Sequence, residues 1–466
     1  MNRKTNRKVL PGARVSAVLA GVLMALGSVG AEAAIDGISG TILNLTAKVD
    51  HISTADGGSV LLWGYSDDDS LANDGTFGGR AQYPAPTLIV NQGDTVTINL
   101  KNDLTVAAGA KPNVSIVFPG QDVTASCTNG GTDTSCVDGA LTTEVGTDGD
   151  VVSYTFTATN AGTYTYHSGT NPGLQVEMGL TGALIVRPAT SGQAYGHADT
   201  VYDYEELFFL TEMDPRIHQE VELNGVDTPE LQALLDNYFS NYWFINGRTA
   251  PDNFSESYVN WLPTQPYKSV PRMHPGDKLL MRVIGGGRDM HPFHHHGEHA
   301  RIIAQDGQML QSAPGMGPDL STEVFTTKAI PGKTSDGIFE WTGEGLNWDI
   351  YGGTDVWPEM AHTCNGLTEV SPGFDAVTNE YCPDHGKVFP VVLPEKQDLA
   401  FGGWWSGSPY LGSLGALPPG EGGLNPNGGF SFMWHSHTEK ELANYDIFPG
   451  GMLTMMIIEA YYVQID

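Results

Sequence analysis

The stretch TLIVNQGDTVTINLKNDL, residues 87–104, decides the fold class of this chain. A Gly-Asp turn at its centre is followed by Val96, Ile98 and Leu100, which alternate with polar residues. Apolar residues at every second position are typical of a β-strand that buries one face and turns the other outward. The stretch therefore predicts a β-strand with one buried face and one outward face.

The same pattern recurs further along the chain. In MHPGDKLLMRVIGGG, residues 273–287, Gly-Asp again leads into an alternating strand with Leu279, Met281 and Val283 on one face. A second pair of segments repeats in the same order, at residues 162–186 and 428–458. Each of these has an aromatic strand ending in His-Ser, then a loop, then a very apolar strand. Two copies of one β-domain explain both repeats, and their order predicts a Greek-key sandwich or barrel.

Composition supports an all-β fold of two domains. The chain has 466 residues, 58 of them glycine, with many Thr and Val residues and no long helical periodicity. We place the boundary in the polar, turn-rich stretch at residues 187–199. The predicted domains cover residues 34–190 and 200–466, and the second carries long Gly-, Pro- and Trp-rich insertions at about residues 310–429.

The amino terminus has the pattern of a secretory signal. Basic residues are followed by a short apolar run and by Ala31-Glu32-Ala33, an A-x-A cleavage site. We expect residues 1–33 to be removed and the protein to be exported to the periplasm, the cell surface or the medium. An N-terminal membrane anchor is the alternative. No later stretch is long and apolar enough to span a bilayer.

The net charge limits the classes of partner. The formal charge is -31, and the sequence pI is about 4.6. An acidic surface repels nucleic acid and anionic membranes, so we expect neither as a partner.

The four cysteines form two pairs that are close in sequence, Cys127 with Cys136 and Cys364 with Cys382. In an oxidising compartment this favours two local disulfides. A four-cysteine metal site is the alternative, but none of the spacings is the tight C-x-x-C of zinc sites.

Histidines provide the strongest chemical signal. In HPFHHHGEH, residues 291–299, His294 and His296 project to one face of a strand and His295 to the other. His435 and His437 are spaced in the same way around Ser436, and His167 ends the matching strand of the first domain. A single buried histidine is usually a satisfied core residue, but several at strand ends predict a site for copper, zinc or iron.

These motifs resemble the multicopper oxidase family, in its two-domain, laccase-like form. The resemblance rests on residues 83–104, 163–186, 244–252, 291–297 and 435–452. It implies two cupredoxin-like Greek-key domains, a copper cofactor and oxidoreductase activity.

The resemblance also implies a role for each histidine. His291 matches a ligand of the mononuclear type 1 (blue) copper, and Met452 lies near its axial position. His294 matches a ligand of the type 2 copper. The ligands of the coupled type 3 pair are matched by His167, His296, His435 and His437.

Several positions depart from the family pattern. Ser436 stands where the family has the cysteine that binds type 1 copper, and Glu441 stands where the second type 1 histidine belongs. A serine hydroxyl does not replace a soft thiolate, so we expect type 1 copper to be absent. Three further histidine positions hold other residues: Val117, Pro119 and Gly169. The resemblance then implies one or two copper ions rather than a three-copper cluster.

Two histidines lie outside the family pattern. His295 and His299 are candidates to replace the missing ligands, and the alternative is a role at the surface or behind the ligands.

The sequence thus predicts an exported copper-dependent oxidoreductase with a reduced copper site. Its partner would be a small-molecule or metal-ion substrate, or a redox protein. The alternatives are a non-catalytic protein that binds or sequesters copper or another metal, and a structural module of the cell surface. The resemblance to two-domain members of the family implies a possible homotrimer, in which His167 would meet His296 and His435 across a subunit interface. A monomer with an intramolecular site is the equally open alternative.

Overall fold

The computed structural model describes residues 35–68, 79–128, 136–147, 149–344, 373–375, 381–384, 415–416, 424–425, 430–459 and 464–465. The predicted signal peptide, Cys364 and most of the predicted insertion at residues 310–429 lie outside the described residues.

The first half of the chain forms two main sheets and a small hairpin. Its strands are β1 Ile38–Ser39, β2 Ile42–Ser53, β3 Ser59–Asp67, β4 Ala85–Asn91, β5 Thr95–Asn102, β6 Thr124–Thr128, β7 Cys136–Asp138, β8 Thr143–Val145, β9 Val151–Thr157, β10 Gly162–His167 and β11 Thr181–Arg187. The sheets have the strand orders β1-β4-β11-β10, β3-β2-β5-β9-β6 and β7-β8. The two main sheets enclose a large apolar core that includes Trp63, Tyr154 and Tyr166.

The second half again forms two main sheets. Its strands are β12 Tyr204–Met213, β13 Tyr242–Ile245, β14 Arg272–Met273, β15 Lys278–Gly285, β16 His291–His295, β17 Ala300–Gln305, β18 Gln308–Met309, β19 Thr322–Val324, β20 Thr326–Ala329, β21 Thr334–Glu340, β22 Gly415–Ala416, β23 Leu424–Asn425, β24 Phe430–Ser436 and β25 Leu453–Ile458. The main orders are β13-β12-β15-β21-β17-β18, with β19 on β17, and β14-β25-β24-β16-β20. Phe208, Phe293 and Trp434 lie in the core between them.

The predicted all-β class is confirmed, and short helices complete it. The α-helices are α1 Pro172–Gln175, α2 Pro215–Asn224 and α3 Pro229–Asp236. Asp214 caps α2 by accepting from the Arg216 backbone N–H, and Thr228 caps α3 by accepting from that of Leu231. Each cap is followed by a proline at the first helical position, a start signal that the sequence carries. Among the described residues, every helix is too short or too polar to cross a membrane.

The alternating strand at residues 95–102 is confirmed, whereas its counterpart differs. In β5, Val96, Ile98 and Leu100 are buried and the residues between them are not. In β15, Leu279, Met281 and Val283 are buried as predicted, but the intervening Leu280 and Arg282 are buried as well. The expectation of an outward face is wrong for β15, because this face packs against the first half of the chain.

A buried charge network holds that contact between the two halves. Arg282 donates to Glu205 at 3.0 Å and to the Thr163 hydroxyl of β10 at 2.9 Å. The Thr163 hydroxyl in turn donates to Asp336 at 2.7 Å. Buried charges are tolerated only when they are paired and hydrogen-bonded, so this network fixes β10 against β15 and β21.

The cysteine pairing is confirmed for one pair. Cys127 and Cys136 form a disulfide. Cys382 is also disulfide-bonded.

Candidate metal centre

Strand pairing brings the histidines of two distant motifs together. β16 pairs antiparallel with β24, and His294 lies directly opposite His435. His296 and His437 follow the ends of these two strands. The His294 ring lies 4.7 Å from that of His296 and 5.5 Å from that of His435, centroid to centroid.

Three of these side chains form a compact group of potential metal ligands. His294, His296 and His435 are buried, and one nitrogen from each lies within 4.8 Å of the others. The Nε2 atoms of His296 and His435 are 3.2 Å apart. Two nitrogens that each lie about 2.0–2.1 Å from one ion adopt such a separation.

Hydrogen bonds fix the orientation of two of the rings. The Nδ1–H of His294 donates to the Phe325 carbonyl at 2.7 Å, and that of His435 donates to the Ser436 carbonyl at 2.7 Å. With Nδ1 occupied, Nε2 carries the free lone pair, which is the usual arrangement of metal-bound histidine.

The protonation state also favours a metal. Burial, with a smaller contribution from His435 and His437, lowers the pKa of His294 to about 4. Burial likewise lowers the pKa of His435. Both rings are neutral at pH 7, as ligands must be. The donor set fits one copper, zinc or iron ion with an open position.

His437 lies at the rim of this group. Its ring is 5.0 Å from that of His294 and 5.6 Å from that of His435, but its side chain is 56% exposed. It faces the solvent side of the three buried imidazoles.

His167 lies elsewhere in the chain. It lines a separate cavity of about 240 Å³ between the two halves, together with Glu177 and Arg288. Its Nδ1–H donates to the Ser168 carbonyl at 2.9 Å, and Val117 is its neighbour across an isolated bridge. The chain by itself does not bring His167 to the three-histidine group, and the homotrimer that would do so stays a prediction.

The two extra histidines do not join the group. His295 projects to the opposite face, as the alternation predicts, and its buried ring packs against Trp434 and Phe339. His299 is 45% exposed and bonds to its neighbour Glu298. The buried His295 thus lies behind the ligand group and the exposed His299 lies at the surface, which agrees with the alternative given above for both residues.

His291 is held by carboxylates on both sides. Its Nε2 lies 2.7 Å from a Glu212 oxygen and its Nδ1 lies 2.9 Å from a Glu441 oxygen. Burial by itself would lower the pKa of His291, but these hydrogen bonds and charges outweigh it and raise the pKa to about 9. The ring is therefore a cation at neutral pH with both nitrogens engaged.

This arrangement does not fit type 1 copper. Neither His291 nitrogen offers a lone pair, Ser436 supplies no thiolate and its hydroxyl donates to Glu441. Met452 is buried in the apolar core of the second half. The match of His291 and Met452 to type 1 ligands stays a prediction, and in the structure His291 is paired with two carboxylates instead.

Glu212 was missed from the sequence. It lies in β12, YEELFFLTEM, and is almost fully buried. An acidic residue inside an otherwise apolar strand was the available signal, because buried carboxylates require partners.

The comparisons with known proteins concern the fold. Residues 76–191 match the family model described as "Multicopper oxidase". No curated protein matches the chain. A blue copper oxidase from Nitrosomonas europaea is 18% identical, with a TM-score of 0.51, covering 90% of this chain and 85% of that chain. The multicopper oxidase mgLAC is 17% identical, with a TM-score of 0.50, covering 92% of this chain and 88% of that chain. These similarities establish an all-β fold of cupredoxin-like domains.

Proposed function

We propose that this chain, of which residues 76–191 match a multicopper oxidase family model, is an exported copper protein with oxidoreductase activity at His294, His296 and His435. The observation that carries the proposal is the group of three buried imidazoles whose donor atoms lie within 4.8 Å of one another. Imidazole is a preferred ligand of copper, and the family implies that metal.

The residues of the site have distinct tasks in this proposal. Bound copper would supply a one-electron redox couple. His294 and His435 hold their Nε2 atoms toward the ion because the Phe325 and Ser436 carbonyls fix their rings. The exposed His437 marks the side from which a substrate or dioxygen reaches the open position.

The proposed site lacks type 1 copper. This is supported by the ion pairs of His291, the residue matched to a type 1 ligand, with Glu212 and Glu441. Electrons from a small molecule, a metal ion or a redox protein would therefore reach the three-histidine site directly.

A second candidate is copper binding without turnover. This candidate is supported because the described part of the chain holds one compact histidine group and no free cysteine that could pass electrons to a metal there. Such a protein would sequester or deliver copper in the periplasm or at the cell surface.

Copper content and spectra of the purified protein test the proposal. We expect about one copper per chain, an electron paramagnetic resonance signal and no intense blue band. The variant H294A/H296A should lose the metal, whereas the control H299A, which removes an exposed histidine outside the group, should retain it. Unchanged copper in H294A/H296A would place the site elsewhere. An intense blue band would contradict the absence of type 1 copper.

Dioxygen uptake with phenolic and metal-ion donors separates the two candidates. Uptake that H294A/H296A abolishes supports the oxidoreductase. Copper binding with no uptake supports sequestration.

Export is tested on the mature protein. We expect its amino terminus near Ala34 and its location outside the cytoplasm. A full-length protein that keeps residues 1–33 would support an anchor instead.

A further inference from the structure

Ser436 lies between two histidines of the site, at the end of β24. Its side chain is buried and projects away from His435 and His437, toward the second sheet. Its hydroxyl donates to Glu441 and accepts from the Thr438 N–H at 3.2 Å. Its own N–H donates to the Met452 carbonyl at 3.0 Å. The backbone at the end of β24 is thus fixed from three directions.

The same residue orients a metal ligand. The Ser436 carbonyl accepts from the Nδ1–H of His435 at 2.7 Å. If the peptide after Ser436 rotated, this carbonyl would turn and the His435 ring would follow it. The N–H of the same peptide belongs to His437 and donates to the Pro292 carbonyl at 2.8 Å. A rotation of this peptide would therefore also move His437.

Glu441 is itself rigidly held. Its N–H donates to the Thr438 carbonyl at 2.9 Å, and its carbonyl accepts from the Met452 N–H at 2.8 Å. The carbonyl packs so closely on Gly451 that a Cβ added there would lie 2.0 Å from it. The carboxylate is bound to the cationic His291.

The anchor of this chain of contacts lies in the other sheet. The second nitrogen of His291 is bound to Glu212 of β12. Glu212 also accepts from the backbone N–H groups of Arg288 and Asp289. A continuous series of buried hydrogen bonds therefore runs from Glu212 in β12 through His291 and Glu441 to Ser436 at the end of β24.

We infer that Glu441 is a positioning residue for the metal ligand His435, acting through the Ser436 hydroxyl. The ion pair of His291 with Glu441 thus supports the three-histidine site through Ser436. This inference rests on the proposed copper function. Groups that orient metal ligands in this way typically change metal affinity by about 10–100-fold when they are removed.

The test compares S436A, E441A and the double variant S436A/E441A with the control D446N. Asp446 is an exposed carboxylate in the same loop. Copper affinity is measured by competition with a chelator, the ligand field by electron paramagnetic resonance, and stability by urea unfolding. We expect S436A to weaken copper binding by about 10–100-fold and to change the copper hyperfine splitting. The double variant should resemble E441A, because both changes break one path. D446N should match the wild type.

The outcomes are distinguishable from a failure of the copper proposal. A wild-type spectrum and affinity in S436A would overturn the inference, as would a lower unfolding midpoint with an unchanged spectrum. If E441A does not fold, S436A still decides the question. If the wild type binds no copper, the copper proposal fails, and nitrogen NMR of copper-free protein tests the positioning alone. A His435 Nδ1–H resonance that is unmoved in S436A would then refute it.

Discussion

At the scale of single residues, Ser436 and Glu441 decide the chemistry of the place beside the three-histidine group. A cysteine at 436 would give a soft thiolate, whereas Ser436 gives a neutral hydroxyl that donates to Glu441. Glu212 and Glu441 both bond to His291, and together they raise its pKa to about 9 despite burial, so the ring is a cation. Both nitrogens of the protonated His291 are bound to the carboxylates of Glu212 and Glu441, and these groups have no accessible redox chemistry.

Restoring the thiolate alone should not restore type 1 copper. In S436C, Nδ1 of His291 is still bound to Glu441 and the second imidazole is still missing, so we expect no intense thiolate-to-copper band. In S436C/E441H both obstacles are removed, and Glu212 then supports Nε2 as carboxylates support metal-bound histidines. Optical spectra of the Cu(II)-loaded variants check this. A band in S436C, or none in the double variant, contradicts the account of this place.

The His291 ion pair should make stability depend on pH. Its pKa is raised from 6.5 to about 9, so the native protein binds an extra proton between these values. The stabilisation, about 3 kcal/mol by the size of the shift, is complete below pH 6.5 and is lost as pH rises through 9.

Urea unfolding of the wild type and H291Q at pH 6 and pH 10 measures it. The difference in unfolding free energy should shrink at pH 10, and an equal difference at both values would refute the ion pair.

At the scale of elements, the site depends on where two strands end. β16 and β24 pair through His294 and His435, and the period of two aims alternate side chains at opposite faces. One face of each strand end therefore holds the imidazole group, while Phe293 and Ser436 face the interior between the sheets. A shift of register by one residue would exchange the two faces.

The stability of helix α3 should depend on its N-cap residue, Thr228. Thr228 accepts from the Leu231 N–H at 3.0 Å, so T228A should lower the unfolding free energy by about 1 kcal/mol. T228S keeps the hydroxyl and should retain most of the stability. Chemical denaturation measures both, and equal loss in the two variants would show that the cap is not the cause.

At the scale of the whole molecule, buried charges connect the two halves. Arg282 is fully buried between Glu205, Asp336 and Thr163, and Thr163 belongs to the first half. Its position between strands of both halves makes the guanidinium one of the contacts that hold the halves together.

Removing this guanidinium should therefore be costly. R282M keeps an unbranched side chain but leaves Asp336 without its cation and Glu205 with Arg187 alone, and we expect a loss of about 3–5 kcal/mol. The control R80M breaks the exposed pair with Asp50 and should change the unfolding free energy by less than about 1 kcal/mol. Similar effects of R282M and R80M in denaturant unfolding would argue against the network.

Much of the candidate site was predictable from the sequence because it depends on local alternation. The spacing of His294 and His296 predicts that they share a face, and the same rule places His295 on the other side. The role of Glu441 was not predictable, since the sequence shows only that a histidine is missing there. Its partner Glu212 comes from a strand far away in the chain.

By itself, the sequence determined the all-β class, the strand that begins at Thr95 and the residues that offer lone pairs, because these follow from side-chain chemistry and from a period of two. Only the tertiary structure decided which of them meet. It brought His294, His296 and His435 together, left His167 at another cavity and enclosed His291 between two carboxylates. These outcomes depend on contacts between strands that are distant in the chain, where burial and the pairing of charges fix protonation and orientation.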